Sequence, residues 1–175
     1  MPYIDRVWIG EGRDYNTPPD YWLVEISGIP FGVMGEMLEK GGNPWRGMIY
    51  GMTGRLPYMA DPRGIWKAWD DFGMEGSQMI GYWVPDCPVR TDSASVLATV
   101  YRKPKQALVA VASWAAEKVD CRLAIDFTQL GLDPAKVRLR APAVPDFQPA
   151  ETFAPFGPIP IEPGRGWLLV LEQEE

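Results

Sequence analysis

The sequence predicts an α/β segment followed by an all-β domain. Residues 3–9 and 78–84 are apolar runs of strand length separated by helix signals, and this order of strand, helices and strand is an α/β pattern. From about Thr91 onward, short alternating strands are punctuated by proline and glycine, which is typical of an antiparallel β-sandwich. Composition changes at the same place, because all eight methionines precede residue 84. We therefore predict two domains, residues 1–90 and 91–175.

Helix signals follow the first predicted strand. Pro18-Pro19-Asp20 suits a helix start, because proline fits the first turn and aspartate favours the positive end of the helix dipole. A helix is expected as far as residue 26, and Pro30 with its neighbouring glycines ends it. Residues 33–38 are expected to resume as a helical turn, and residues 63–72 form another helix after Asp61-Pro62. Two such strands cannot close a barrel, so further strands are expected from another chain or from polypeptide lost from this one.

The second part of the sequence contains strand signals. Residues 95–101 and 106–114 predict a β-hairpin with a polar turn at 102–105. Residues 119–127 alternate between apolar and polar side chains and predict one further strand. Residues 137–140 and 166–172 predict two more, and the proline-rich stretch 142–163 is expected to cross the sheet as extended or edge segments.

Composition limits the chemistry that the chain can perform. Its 175 residues are 46% hydrophobic, enough for one ordinary domain or two small ones. The absence of histidine excludes Ser-His-Asp and Cys-His catalysis and removes the commonest metal ligand. Two cysteines, Cys87 and Cys121, make no zinc site, and their pairing is left open. We expect no metal and no cofactor, so that catalysis would depend on carboxylates, Tyr, Lys, Arg or hydroxyl groups.

Charge and hydropathy limit the partners. The net charge is −6 and the basic residues are scattered, so we do not expect a nucleic-acid partner. No apolar run reaches about 18 residues, so we do not expect a membrane partner. The chain begins almost directly in a strand without a signal-peptide pattern. The oligomeric state is left open.

One loop carries the first candidate for chemistry. Glu11 follows the apolar run Val7-Trp8-Ile9 and lies between two glycines. Catalytic carboxylates of α/β barrels sit at the carboxyl ends of strands, which is where this residue falls. A solvated turn glutamate is the alternative interpretation.

Several stretches resemble the late part of a bacterial family related to glycoside hydrolase family 123. They are Trp8-Ile9-Gly10-Glu11-Gly12, residues 21–32 and Met79-Ile80-Gly81-Tyr82-Trp83, while residues 96–114 and 126–132 resemble the β-sandwich that follows the barrel there. The resemblance implies a partial (β/α) barrel segment followed by an antiparallel β-sandwich. It also implies action on glycosidic bonds, with N-acetylhexosaminides as candidate substrates and carbohydrate as the partner.

The catalytic pair of that family has no counterpart here. Such enzymes use an adjacent Asp-Glu pair, in which Asp orients the substrate's acetamido group and Glu is the general acid/base, and the sequence contains no Asp-Glu dipeptide. The nearest match, Asp70-Asp71, falls in a predicted helix. We expect the pair to lie upstream, in polypeptide missing from the chain, and the chain alone to be inactive. The alternative is a non-catalytic carbohydrate-binding or structural β-sandwich with an α/β cap.

The resemblance also suggests substrate contacts. Glu11 is the candidate for substrate contact or catalytic support, because a carboxylate accepts hydrogen bonds from adjacent sugar hydroxyls. Aromatic rings stack on the apolar faces of sugars, although core packing explains the same rings equally well. The candidate substrate-binding residues are Arg13, Asp14, Tyr15, Trp45, Arg46, Tyr50, Arg55 and Trp83. Surface solvation is the alternative for Arg13 and Asp14.

Overall fold

A computed structural model describes residues 6–7, 13–37, 42–54 and 61–173 of the chain. The N-terminal part contains β1 (Arg6–Val7), α1 (Pro19–Tyr21), a π-helix (Trp22–Ile26), a 3₁₀ turn (Ile29–Phe31), β2 (Met34–Gly35), α2 (Pro44–Ile49) and α3 (Arg63–Phe72). The remainder contains β3 (Gln78–Ile80), β4 (Val89–Thr91), β5 (Val96–Lys103), β6 (Gln106–Ser113), β7 (Val119–Cys121), β8 (Leu123–Ile125), α4 (Phe127–Leu130), β9 (Val137–Ala141), β10 (Glu151–Phe153), β11 (Ile159–Ile161) and β12 (Gly166–Gln173). The predicted order of a short α/β segment and an antiparallel β domain is confirmed.

The N-terminal segment holds the parallel strands. β1 and β2 pair in parallel, and an isolated parallel bridge joins Met37 to Gly54. The helical turn predicted for residues 33–38 is wrong, because β2 is a strand there. Its Gly35 lies so close to the backbone of Ile26 and Ser27 that a Cβ atom would overlap both. Parallel pairing with a distant strand decides this conformation, and the local sequence does not encode it.

A six-stranded antiparallel sheet forms the centre of the fold. Its strand order is β10-β9-β12-β6-β5-β3, with β12 and β6 in the middle. The predicted hairpin is confirmed as β5 and β6, joined at Pro104 and Lys105. The second strand predicted for the α/β unit is shorter than expected, and it lies in this sheet as β3, antiparallel to β5.

The sheet is covered on both faces. One face packs against two small antiparallel pairs, β4-β8 and β7-β11, in a core that includes Val109, Cys121 and Leu169. The other face packs against the π-helix, α2 and α3, in a core that includes Trp22, Met48 and Leu168. The helical segment therefore shares its core with the β domain.

The strand predicted for residues 119–127 is divided in two. β7 pairs with β11, whereas β8 pairs with β4, so the chain changes partner at Arg122. The backbone N–H of Arg122 donates to the Asp92 carboxylate, and its carbonyl accepts from the Asp92 N–H. This exchange with Asp92 holds the change of direction.

The two cysteines are buried and free. Burial raises the pKa of the Cys121 thiol to about 12 and also raises the pKa of Cys87. A cysteine in the unfolded chain has a pKa of about 8.5. The neutral Cys121 thiol should therefore make its full contribution to the free energy of unfolding below that pH. It should be lost as the pH rises towards 12.

We therefore expect both thiols to resist a disulfide reagent at pH 8 in the native protein and to react in denaturant, because the thiolate is the reactive form. Counting thiols with and without guanidinium measures this. Fast reaction of the native protein would contradict the burial of these side chains.

Candidate functional site

Arg46 is a buried cation at the junction of the helical segment and the sheet. It lies on α2, whose first turn is capped by the Asn43 side chain accepting from the Arg46 backbone N–H at 2.9 Å. The guanidinium donates to the carbonyl of Tyr15 at 2.7 Å and to the carbonyl of Ser113 at 3.2 Å, and it lies 4.9 Å from the Trp114 ring centroid. It also reaches the Asn16 side-chain oxygen at 3.4 Å. Among the described residues, no carboxylate forms an ion pair with it.

The loop after β1 is held by its carbonyl groups. Besides the Arg46 bond to Tyr15, the Trp114 indole donates to the carbonyl of Thr17 at 3.0 Å. The Tyr50 hydroxyl donates to the carbonyl of Pro19 at 3.0 Å, and the Tyr82 hydroxyl reaches the same oxygen at 3.4 Å. Alternate carbonyls of the loop are therefore each bound by a side chain from outside it.

An aromatic cluster surrounds these bonds. We use this name for Tyr15, Trp22, Tyr50, Tyr82, Trp83 and Trp114. Trp22 stacks on Tyr50 with centroids 5.6 Å apart, and Trp83 stacks on Tyr50 at 5.8 Å with an interplanar angle of 9°. Tyr50 is 2% exposed, so its ring has no free face for a ligand. Trp83 is only half-buried, which leaves it as the accessible ring of this stack.

Gly81 explains how Trp83 reaches its position. A Cβ atom at residue 81 would overlap the six-membered ring of Trp83. The chain turns after β3, and the indole folds back over the glycine towards Tyr50. Only glycine allows this close approach of the ring to the backbone.

Burial controls the protonation of the cluster. Burial raises the pKa of Tyr50 well above its ordinary value, and its hydrogen bond with the Tyr82 hydroxyl raises it further. Burial also raises the pKa of Tyr82. Both phenols therefore remain protonated and act as hydrogen-bond donors. Burial lowers the pKa of Arg46, partly opposed by Tyr50 and Asp14.

The structure brings four of the predicted site residues together. Tyr15, Arg46, Tyr50 and Trp83 belong to or contact the aromatic cluster. Arg13 lies near it and donates to the Tyr21 hydroxyl at 2.6 Å. Asp14 is exposed, and its carboxylate accepts from the Asn16 backbone N–H at 2.8 Å.

Three predicted site residues are placed elsewhere or lie outside the described ranges. Trp45 faces away from the cluster, stacking on Phe147 at 4.7 Å beneath the Arg165 guanidinium. Glu11 and Arg55 fall outside the described residues, so their roles stay predictions.

Sequence reasoning missed Trp22, Tyr82 and Trp114 as parts of the site. The Trp114 indole donates to a carbonyl 97 positions away in the sequence, that of Thr17. The sequence Gly81-Tyr82-Trp83 does carry a signal for Tyr82, because Tyr82 is the direct neighbour of the predicted site residue Trp83. No local pattern indicated Trp22 or Trp114.

The described residues also form a cavity of about 650 Å³ that is separate from the aromatic cluster. It lies between α3 and the sheet, and none of the predicted site residues within the described ranges lines it. Its floor includes Phe72, Val170 and Pro142, and Gln106 and Arg140 are among its polar groups.

The aromatic cluster is suited to binding. Within the described ranges, no group of three or more His, Cys, Asp or Glu side chains is arranged to hold a metal ion. None of the helices in the described part of the chain has the length and hydrophobicity that crossing a membrane requires. The half-buried Trp83 indole, stacked on Tyr50, gives the cluster a partly accessible aromatic surface, which can contact the apolar face of a ligand.

Two family models match the chain. Residues 1–57 match "Glycoside hydrolase 123, TIM-barrel domain". Residues 61–172, more than half of the chain, match "Glycoside hydrolase 123, C-terminal domain". No curated protein matches the sequence.

Proposed function

The chain belongs to the glycoside hydrolase 123 family, as the resemblance predicted, and on this premise we propose that it forms the C-terminal side of a carbohydrate-binding cleft. The catalytic carboxylate pair would come from polypeptide outside these 175 residues. N-acetylhexosaminides are the proposed substrates. The observation that carries the proposal is the half-buried Trp83 stacked on the buried Tyr50.

Two features support a catalytic pair outside the chain. The sequence has no Asp-Glu dipeptide, and the TIM-barrel model matches 57 residues, whereas a complete barrel takes about 250. Asp71 is bound to Lys67 on the exposed side of α3, with 2.7 Å between its carboxylate and the ammonium. This aspartate is therefore a surface ion pair and a poor candidate for acid/base catalysis.

The chemistry of Trp83 and Arg46 supports a sugar ligand. The half-buried indole offers a partly accessible aromatic surface, and its N–H has no acceptor among the described residues. The Arg46 Nη2 nitrogen likewise has no acceptor within the described ranges. A pyranose presents a C–H face to such a ring and hydroxyl or acetamido oxygens to such donors.

The test is ligand binding by the chain itself. We expect N-acetylhexosamines to give saturation-transfer NMR signals with the chain, and Trp83→Ala to weaken their affinity at least about tenfold. Trp66→Ala is the matched control, because Trp66 is a partly exposed tryptophan on α3 outside the cluster. Equal affinities in the two variants would contradict the proposal. Hydrolysis of nitrophenyl N-acetylhexosaminides by the chain alone would contradict a catalytic pair outside it.

A second candidate function is carbohydrate binding without turnover at the α3 cavity. The cavity is large enough for a short oligosaccharide, and its lining balances Asp61, Asp71 and Asp146 against Arg63, Lys67 and Arg140. Such a lining favours a neutral polyhydroxylated ligand over a phosphate. Ala143 is exposed and lines the cavity, so Ala143→Trp would fill the cavity with a large side chain. Loss of sugar binding in this variant, but not in Trp83→Ala, would favour binding at the α3 cavity.

A further inference from the structure

The residues that hold the loop after β1 come from both matched domains. Arg46 and Tyr50 lie within the stretch matched by the TIM-barrel model, whereas Tyr82 and Trp114 lie within the stretch matched by the C-terminal model. The carbonyls that they bind belong to Tyr15, Thr17 and Pro19. These positions are two residues apart, so one edge of the described stretch 15–19 is anchored.

We propose that Tyr82 and Trp114 are positioning residues through which the C-terminal domain sets the conformation of the substrate-side loop, residues 13–19. The C-terminal domain is then an integral part of the cleft, and a barrel without it would present this loop in the wrong place. The inference rests on the proposed function for its consequence in sugar binding, but its structural part is measurable without any sugar.

The Trp114 contacts show how the two domains are joined. One edge of its ring bears the N–H that binds Thr17, and its face carries the Arg46 guanidinium. Trp22, which is fully buried, meets the same ring edge-on with centroids 6.4 Å apart. Movement of Trp114 would therefore displace the donors of two loop carbonyls together.

The Tyr82 contacts add a second attachment at the end of the loop. Its hydroxyl lies 3.3 Å from the Tyr50 hydroxyl, and both approach the carbonyl of Pro19. Since both phenols stay protonated, the three oxygens form a bonded set across a wide pH range. These contacts attach the start of α1, at Pro19, to the turn that follows β3.

The experiment is amide hydrogen exchange on the full chain with single-residue resolution. Trp114→Phe keeps an aromatic ring but removes the N–H that binds Thr17, together with part of the ring surface that contacts Arg46 and Trp22. We expect exchange of the amides at 15–22 to accelerate about five- to tenfold, with sheet amides unchanged. In the parent chain, the Trp114 indole N–H should itself exchange slowly.

Trp167→Phe is the matched control, because its indole also donates to a backbone carbonyl, that of Pro160 in β11 at 2.8 Å, on the opposite side of the sheet. It should leave residues 15–22 unchanged. Tyr82→Phe removes a single hydroxyl, so it provides the same test if Trp114→Phe fails to fold. Exchange at 15–22 that is unaffected by Tyr82→Phe and Trp114→Phe, or affected equally by Trp167→Phe, would overturn the proposal.

A sugar titration separates this inference from the proposed function. In one outcome, Trp114→Phe accelerates exchange at 15–22 and lowers the affinity for N-acetylhexosamine, whereas Trp167→Phe leaves that affinity unchanged. This outcome supports both the positioning role and the proposed function. If the loop is released and the parent chain binds no sugar, the positioning role stands and the proposed function fails.

Discussion

Replacing either Leu168 or Leu169 by alanine is expected to cost about 2–5 kcal/mol of unfolding free energy. Both leucines are 0% exposed and adjacent on β12, so their side chains point to opposite faces of the sheet. Leu169 packs with the small strand pairs, and Leu168 packs with the helical segment. Each truncation would leave a cavity in a different core.

Denaturant unfolding of both variants measures these losses. Leu97→Ala is the matched control, because this strand leucine is only partly buried and should cost less than either central leucine. A loss in Leu169→Ala with none in Leu168→Ala would contradict the packing of the helices on the sheet. The helical segment would then be an independent unit.

Two strands of the sequence carry a pattern that is typical of a sheet covered on both faces. β6 and β12 are nearly continuous apolar runs, 107–112 and 167–171. Strands buried on both faces have such runs, whereas strands with one solvated face alternate. The strands themselves could be predicted because the apolar pattern of each strand is local. The bounds predicted for α3, residues 63–72, are those that the structure gives. The layer on the second face depends on how distant segments pack.

Other features could not be predicted because the interactions that decide them are long-range. β2 is a strand through pairing with β1, and Arg122 breaks an alternating run through Asp92, 30 positions away. The candidate site follows the same rule. Arg46, Tyr50 and Trp83 were chosen for their residue types, but no local pattern connects Trp114 with Thr17.

The burial of Arg46 was also outside the reach of sequence reasoning. A cluster of aromatic and basic residues fits either a ligand surface or a packed interface, and the structure leaves Arg46 only 6% exposed. Its neutral acceptors explain how a cation is buried without an ion pair. Three oxygens and the Trp114 ring replace the water that it loses.

Arg46→Met is expected to lower the unfolding free energy by about 3 kcal/mol. The buried Ser113 carbonyl and the partly buried Tyr15 carbonyl would each lose a charged donor, at about 1–3 kcal/mol per unsatisfied group. Removing the charge recovers part of the desolvation cost that lowers the Arg46 pKa, so the net loss is smaller than the sum. The shift of the denaturant unfolding midpoint, at an unchanged slope of free energy against denaturant concentration, measures this loss of stability.

Arg140→Met is the matched control for this effect. The Arg140 guanidinium also donates to a protein oxygen, that of Glu172 at 3.0 Å, but its side chain is 47% exposed. Water replaces a partner lost at the surface, so this variant should lose less than about 1 kcal/mol. Equal losses in the two arginine variants would contradict the role of Arg46 in joining the loop to the sheet, because that role depends on the burial of Arg46 and of the carbonyl groups that it binds.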